Sequence, residues 1–193
     1  KDTVNTGKII AEGNVNTEKF DNSGEVMLNE KLSTKALENK AGGKINTGEG
    51  IQTQGNTKNY GEINTNSDFT ITGNLENYNI INAGGKLSTQ DLINTGNLKV
   101  VEKISTSGLS FNNSGEILTT TLEINNTGIL NTNKITVIEN GKLTGSNIIN
   151  NGYISGTNLE LITPILTNTG TLVAGEAIKA NNTALNNSGY ISS

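Results

Sequence analysis

The stretch NNSGEIL, residues 112–118, combines a turn with the start of a strand. Asn and Gly tolerate the tight backbone of a turn, and Ile and Leu begin a segment that is suited to burial. Close variants recur along the chain, namely NTGKII from Asn5, NSGEVM from Asn22, NYGEIN from Asn59, NTGNLK from Asn94, NNGYIS from Asn150, NTGTLV from Asn168 and NSGYIS from Asn187. A turn that recurs with similar flanks indicates an internal repeat, and the repeat decides the fold.

The repeat has a period of 17 to 19 residues when it is counted from the last residue of the turn, which we call the anchor. The eleven anchors are Gly7, Gly24, Gly43, Gly61, Asn79, Gly96, Gly115, Asn133, Gly152, Gly170 and Gly189. Gly128 and Gly141 resemble anchors too, but using them would create coils of 11 to 13 residues. Because Gly and Asn are the residues that best accept a left-handed backbone, we expect a positive φ at every anchor.

Other positions repeat in step with the anchors. Asn stands two residues before ten of the eleven anchors, and Ala41 is the exception. A branched aliphatic residue stands two residues after each, namely Ile9, Val26, Ile45, Ile63, Ile81, Leu98, Ile117, Ile135, Ile154, Leu172 and Ile191. Further apolar residues follow near eight (Val15, Leu32, Ile51, Phe69, Leu87, Ile104, Ile178) and near thirteen (Phe20, Leu37, Leu92, Leu109, Ile165). Alternation around each of these positions has the period of a strand, so each coil has three short strands.

Three strands per coil of about 18 residues predict an all-β fold, a parallel β-helix. The crossover rule favours a right-handed path. Residues 1–193 would then form a single segment of about ten coils, excised from a longer array, and a rod roughly 50 Å long at ~4.8 Å per coil. We expect the Asn residues to form an amide ladder. Small residues four after the anchor and the inward Thr residues 17, 34, 53, 89 and 106 suit a narrow core. Pro164 should lie at a bend because it has no N–H.

The composition limits the chemistry that is available. The chain has no Cys and no His, all 14 basic residues are Lys, and the net charge is −4. Thiolate metal sites and disulfides are therefore excluded, and nucleic acid is not an expected partner. We predict no cofactor, no metal and no membrane span, because no apolar stretch is long enough to cross a bilayer.

Some β-helices are polysaccharide-active enzymes, so this activity remains a remote alternative. Such chemistry needs clustered carboxylates, a metal or a cationic base. The four Asp residues fall at different positions of the repeat, and no coil carries an insertion that could build a cleft. GGKINTGEG, residues 42–50, lacks the spacing of a phosphate loop and is better read as two corners of one coil. We therefore predict that the chain is not an enzyme and has no catalytic residues.

Two outward features could bind a partner. Opposite charges follow one another one residue after the anchors at Lys8, Glu25, Lys44 and Glu62, and again at Glu116 and Lys134. They could form a docking strip, although a solvated charge ladder is the favoured interpretation. Tyr60 and Tyr78 each precede an anchor on adjacent coils and should stack. They are the candidate ligand-binding residues, because aromatic pairs on a rigid face can bind sugar rings or a receptor, but stacking for its own sake is favoured.

The pattern N-x-G-x-[IL]-x-[TA], followed by L-x-T and a further apolar residue, resembles filamentous-haemagglutinin repeats over essentially the whole chain, from Asn5 to the end. That family comprises long bacterial exoproteins exported by two-partner secretion, including adhesins, haemolysins and contact-dependent growth-inhibition effectors. The resemblance implies a β-helix stalk that is secreted or held at the outer-membrane surface of a Gram-negative bacterium. It also implies an outer-membrane transporter as the partner during secretion, and a role in cell adhesion and virulence.

These observations lead to two functional hypotheses. In the first, the chain is a structural stalk that projects a binding or effector domain from the cell. In the second, the chain is a binding module whose face engages a host glycan, a host receptor or a neighbouring bacterium. The uninterrupted repeat favours the stalk, and the Tyr60–Tyr78 pair is the feature that favours the binding module.

Overall fold

A computed structural model describes all 193 residues as an all-β protein. It has 26 strands and no helix, hence no helix that could span a membrane. In chain order the strands are β1 (Thr3–Asn5), β2 (Lys8–Ala11), β3 (Val15–Asn22), β4 (Glu25–Leu28), β5 (Lys31–Asn39), β6 (Lys44–Thr47), β7 (Gly50–Thr53), β8 (Thr57–Asn59), β9 (Glu62–Thr65), β10 (Asp68–Ile71), β11 (Leu75–Asn77), β12 (Ile80–Ala83), β13 (Lys86–Thr89), β14 (Leu92–Asn94), β15 (Asn97–Thr106), β16 (Ser110–Asn113), β17 (Glu116–Asn125), β18 (Gly128–Asn131), β19 (Lys134–Val137), β20 (Asn140–Thr144), β21 (Asn147–Asn150), β22 (Tyr153–Ile162), β23 (Ile165–Asn168), β24 (Thr171–Asn181), β25 (Ala184–Asn187) and β26 (Tyr190–Ser192).

The strands stack as a parallel β-solenoid of about eleven turns with three sides. The first side follows the anchors and stacks β2, β4, β6, β9, β12, β15, β17, β19, β22, β24 and β26. The second side stacks β3, β5, β7, β10, β13, β15, β17, β20, β22 and β24. The third side stacks β1, β3, β5, β8, β11, β14, β16, β18, β21, β23 and β25. Every pairing is parallel, as the repeat predicts.

A continuous core runs inside the three sides. On the first side Ile117 is in register with Leu98 below it and Ile135 above it, and all three are buried. The 33 buried apolar residues belong to one cluster. Thr34, Thr53, Thr89 and Thr106 are buried in the inward column of the second side, as predicted, and Thr17 is half-buried at its end. Pro164 lies at a bend, and GGKINTGEG spans two corners of one coil.

The prediction that Leu109 and Ile165 lie in the core of the third side is wrong. Leu109 is 74% exposed and Ile165 is 45% exposed, whereas Phe111 and Leu166 are buried. Leu109 precedes β16 and therefore lies at a corner, outside the alternation of the strand. Ile165 lies in β23, but its neighbour Leu166 has the inward position. Counting thirteen residues forward from an anchor fails here, because the preceding corners differ in length from coil to coil.

The predicted Asn ladder extends over the whole chain. Its members are Asn5, Asn22, Asn39, Asn59, Asn77, Asn94, Asn113, Asn131, Asn150, Asn168 and Asn187. Each side-chain Nδ2 donates to Oδ1 of the Asn in the next coil, over 2.8–2.9 Å. The ladder is not interrupted at Ala41, because Asn39 takes the ladder position and the chain bulges outward before Gly43. Gly42, in this bulge, has a φ of +80°.

The anchors stack along one corner, but the predicted positive φ is wrong. Only Gly42 and Gly50 have a positive φ, and neither is an anchor. Glycine is favoured at most anchors for a different reason, because consecutive coils approach closely there. A Cβ on Gly115 would lie 2.6 Å from the carbonyl carbon of Thr95 and 2.8 Å from the nitrogen of Gly96. Such distances are far below normal van der Waals contact.

The predicted coil register is confirmed between residues 115 and 152. Asn133 lies between Gly115 and Gly152, since the N–H of Lys134 donates to the carbonyl of Gly115 and that of Tyr153 to Asn133. Gly128 instead begins β18 on the third side, in register with Ser110 and Asn147. Gly141 is an inward residue of the second side, in register with Leu122 and Leu159.

Candidate functional site

The side chains of Tyr60 and Tyr78 stack on the outside of the corner between the third and first sides. Their ring centroids are 4.6 Å apart, and the ring planes differ by 2°. The one-coil spacing of the backbone sets this separation, because parallel strands lie about 4.8 Å apart. Each tyrosine is 39% exposed. The predicted stack is therefore present, and each ring has one face covered by the other ring.

The carboxylate of Glu76 binds the hydroxyl of Tyr78, and the ammonium group of Lys58 pairs with that carboxylate. Glu76 Oε2 accepts a hydrogen bond of 2.8 Å from the hydroxyl of Tyr78, and Glu76 Oε1 lies 3.2 Å from Nζ of Lys58. Glu76 and Lys58 each stand two residues before a tyrosine in the sequence, so alternation places them on the same outward surface. The hydrogen bond to Glu76, followed by burial, raises the pKa of the Tyr78 hydroxyl above its ordinary value. Glu76 also raises the pKa of Lys58, mainly through their hydrogen bond.

The sequence signal for these two charged residues was present but was not used. Strand alternation predicts that residues i and i−2 share a face, which pairs Glu76 with Tyr78 and Lys58 with Tyr60. The same rule pairs Glu38 with Lys40 in the coil below. Lys40 stands at the corner position of the tyrosines, since its N–H donates to Asn22 as that of Tyr60 donates to Asn39. Glu76 and Lys58 thus lie beside the stack, and Glu38 and Lys40 occupy the equivalent positions in the coil below.

The alternating charges on the first side are in register but mostly unpaired with one another. Lys8 pairs with Glu25 at 3.0 Å. Glu25, Lys44 and Glu62 are aligned on consecutive strands without a further ion pair between them. Glu62 instead accepts a hydrogen bond from Asn64. Glu116 and Lys134 are likewise aligned without an ion pair. Exposed pairs of this kind contribute little stability, which agrees with the interpretation as a solvated ladder.

Two of the Asp residues accept hydrogen bonds from backbone N–H groups. Asp68 Oδ1 accepts the backbone N–H of Lys86 at 2.8 Å, and Asp91 Oδ1 accepts those of Leu109 and Ser110 at 2.6 and 2.9 Å. Both carboxylates thus satisfy backbone donors of the following coil at a corner. No group of three or more Asp and Glu side chains comes together in an arrangement that could hold a metal ion.

Comparison with known proteins gives no further assignment. No family model matches this chain, and no similar curated protein or solved structure was found. The resemblance to filamentous-haemagglutinin repeats stays a prediction from the sequence pattern.

Proposed function

We propose that this chain is a segment of the stalk of a secreted or surface-displayed bacterial exoprotein, similar to the filamentous-haemagglutinin type. The observation that carries the proposal is the Asn ladder, which continues without a break from Asn5 to Asn187. An unbroken ladder requires the same register in every coil. Constant register over the whole length is what a rod of defined shape needs.

The ladder supports stiffness because its bonds run along the rod axis. Each amide also donates to backbone carbonyls, as Asn113 does to Gly115 and Lys134. The amides from Asn5 to Asn168 are buried, so breaking one bond by bending would leave unsatisfied polar groups at a cost of about 1–3 kcal/mol each. Backbone hydrogen bonds between strands run in the same direction on all three sides. Bending the rod therefore opposes many hydrogen bonds at once.

The proposed location follows from the sequence resemblance. An exoprotein of this type would pass through an outer-membrane transporter and extend from the surface of a Gram-negative bacterium, where it contributes to adhesion. The chain has no cysteine, so its fold does not depend on the redox state of its surroundings. A stalk that folds outside the cell gains from this independence.

Deletion of whole coils tests the stalk function. Removing residues 133–169 joins Thr132 to Gly170 and restores the N-T-G turn with two coils fewer. We expect a folded rod that is shorter by about 10 Å in solution scattering, and an unchanged affinity of any domain fused to its end. Removing residues 133–160 instead joins the corner to a strand of the second side, and it should disrupt folding.

The stalk proposal fails if the whole-coil deletion does not shorten the particle. It also fails if that deletion abolishes adhesion while the terminal domain stays functional, because the deleted side wall would then carry the activity. The deletion leaves residues 1–132 intact, so its outcome is independent of the Tyr60–Tyr78 pair.

A further inference from the structure

One face of the Tyr78 ring is open toward the C-terminal end of the rod. The other face is covered by Tyr60 at 4.6 Å. The same corner position in the following coils is held by Thr95, Ser114 and Thr132, as their backbone N–H groups show by donating to Asn77, Asn94 and Asn113 in turn. These side chains are much shorter than a tyrosine. The face of the Tyr78 ring that points toward the C-terminal end, which we call the ledge, therefore has no side chain of similar length at the corner above it.

The face of Tyr60 that points the other way has different surroundings. The coil below carries Lys40 at the corner, followed by the outward bulge that contains Gly42. The carbonyl of Lys40 approaches the corner closely, since it lies 2.7 Å from the point that a Cβ on Gly61 would occupy. Both tyrosines are 39% exposed, so the two ends of the stack differ in their neighbours and not in total exposure: the next corner beyond Tyr60 carries the long side chain of Lys40, and the next corner beyond Tyr78 carries the short side chain of Thr95.

The groups around the ledge are those that complement a sugar ring. Ile93 is in register above Glu76 and is 38% exposed, so it provides an apolar flank. Thr95 adds a hydroxyl group whose bond to the carbonyl of Asn77 is long, at 3.5 Å. Glu76 adds a carboxylate at the rim. An aromatic floor with an apolar flank and polar groups at the edge fits a ring that has C–H groups on one face and hydroxyls around it.

The charge balance favours a neutral ligand. Glu76 is already engaged by Lys58 and Tyr78. A cation on the open face of Tyr78 would therefore meet only a carboxylate that is already paired, and an anion would be repelled by the same carboxylate. The hydroxyl of Tyr78 donates to a carboxylate, which makes the ring more electron-rich and strengthens its attraction for C–H groups.

We propose that the open face of Tyr78 is a binding site for an uncharged pyranose ring of a glycan. The sugar stacks on Tyr78 as a third member of the Tyr60–Tyr78 stack, and its hydroxyls reach Thr95 and Glu76. The site goes beyond the stalk function: it gives the side wall of the rod one local contact with a neutral saccharide.

A binding experiment on the whole chain tests this site. The probes are lactose, diacetylchitobiose and mannobiose as neutral saccharides, with choline chloride as a cation, each titrated while backbone amide NMR signals are followed. At least one saccharide should shift the amide signals of Tyr78, Ile93 and Thr95 saturably, and choline should not. Tyr78→Ala should weaken this binding at least tenfold. Tyr153→Ala is the matched control, because Tyr153 is also 39% exposed but has no stacking partner.

A second variant keeps the test independent of the stability of the stack. Thr95→Leu places a branched aliphatic side chain over the Tyr78 ring and removes the hydroxyl group without creating a new aromatic face, so it should weaken saccharide binding at least tenfold while the rod remains folded by circular dichroism. The proposal is overturned if none of the three saccharides shifts these signals, or if choline shifts them as strongly. Equal binding by wild type and Thr95→Leu, or equal loss in Tyr153→Ala, would overturn it as well.

Discussion

The backbone nitrogen of Asn133 lies 2.6 Å from the point that a Cβ on Gly152 would occupy. Gly96 and Asn79 have the same relationship three coils earlier, again at 2.6 Å. Glycine recurs at this corner because each coil presses against the backbone of the coil before it. The repeated N-x-G turn thus reflects a close contact between consecutive coils along the rod axis. The backbone conformation of the anchor glycine itself is one that other residues could adopt.

Adding one methyl group at an interior anchor should be costly. In Gly115→Ala the new Cβ meets the backbone of Thr95 and Gly96, so the two coils must separate. We expect a loss of about 1–3 kcal/mol in the free energy of unfolding, measured by chemical denaturation. Gly128→Ala is the matched control in the same coil, since its Cβ would meet only the carbonyl of Leu109 at 3.8 Å. Equal destabilisation of the two variants would contradict the axial contact.

Two anchors, Asn79 and Asn133, already carry a Cβ, so we expect a milder separation of consecutive coils at these corners. The N–H after a glycine anchor donates to the anchor carbonyl of the coil below over 2.7–2.9 Å, whereas the corresponding distances are 3.2 Å for Ile80 and 3.3 Å for Lys134. In Asn79→Gly we expect this bond to shorten, so that the Ile80 amide exchanges with solvent more slowly. The Asn97 amide, already 2.7 Å from the carbonyl of residue 79, is the internal control. Faster exchange at Ile80 would argue that the Asn side chain supports the corner.

The corrected core position on the third side can be tested with a pair of truncations. Phe111 is fully buried, so Phe111→Ala should cost about 3–5 kcal/mol in unfolding free energy. Leu109 is 74% exposed, so Leu109→Ala should change stability by less than about 0.5 kcal/mol. Thermal and chemical unfolding of both variants measures the difference. A larger effect of Leu109→Ala would mean that Leu109, and not Phe111, is the core residue at this position.

The sequence predicts most of this fold because identical columns stack in a solenoid. One correct register places every coil, which is why the anchors and the ladder could be found without a structure. Leu109 and Ile165 were misplaced because they were counted forward across corners of variable length. Counting back two residues from the ladder Asn identifies Phe111 and Leu166 correctly. Asn39 was missed for a related reason, since the bulge before Gly43 moves it four residues from the anchor.

The candidate site was predicted only in part, for physical reasons. Stacking of Tyr60 and Tyr78 follows from the period alone. The bond from Tyr78 to Glu76 depends on side-chain rotamers, which a repeat pattern does not determine. The reason for glycine at the anchors also cannot be seen in one coil, because the clash involves the backbone of the preceding coil.

The bond between Tyr78 and Glu76 has a measurable consequence for titration. It raises the pKa of the Tyr78 hydroxyl, because ionising the hydroxyl would break the hydrogen bond and place two negative charges together. Glu76→Gln should therefore lower the Tyr78 pKa toward its ordinary value, as measured by ultraviolet absorbance of tyrosinate. A raised pKa in the folded state means that the associated stability is present below the unfolded value and is lost as the pH rises through the folded value. Glu102→Gln, a change at an exposed carboxylate outside the site, should leave the titration unchanged.

The Asn ladder should respond to pH once one amide becomes a carboxyl group. Asn113 Nδ2 donates to the side-chain oxygen of Asn131 and to the carbonyls of Gly115 and Lys134. In Asn113→Asp a buried carboxylate would face these three oxygen acceptors. Its one remaining hydrogen bond would come from the side-chain amide of Asn94. We expect a loss of about 3–5 kcal/mol in unfolding free energy at neutral pH, because the charge is buried without compensation.

The sign of the pH dependence distinguishes this mechanism from simple loss of packing. Burial and the three acceptors favour the protonated form, so the folded pKa of the introduced carboxyl group rises above its unfolded value of about 3.9. The protonated group is stabilised by folding, so the variant recovers stability relative to wild type as the pH falls through the folded pKa. The recovered stability should reach its maximum below the unfolded pKa. This maximum stays below the wild-type stability, because a protonated carboxyl group donates only one hydrogen bond. Asn112→Asp, on the outward face of the same strand, should show no such recovery. A pH-independent defect in Asn113→Asp would mean that the ladder contributes through its shape and not through its hydrogen bonds.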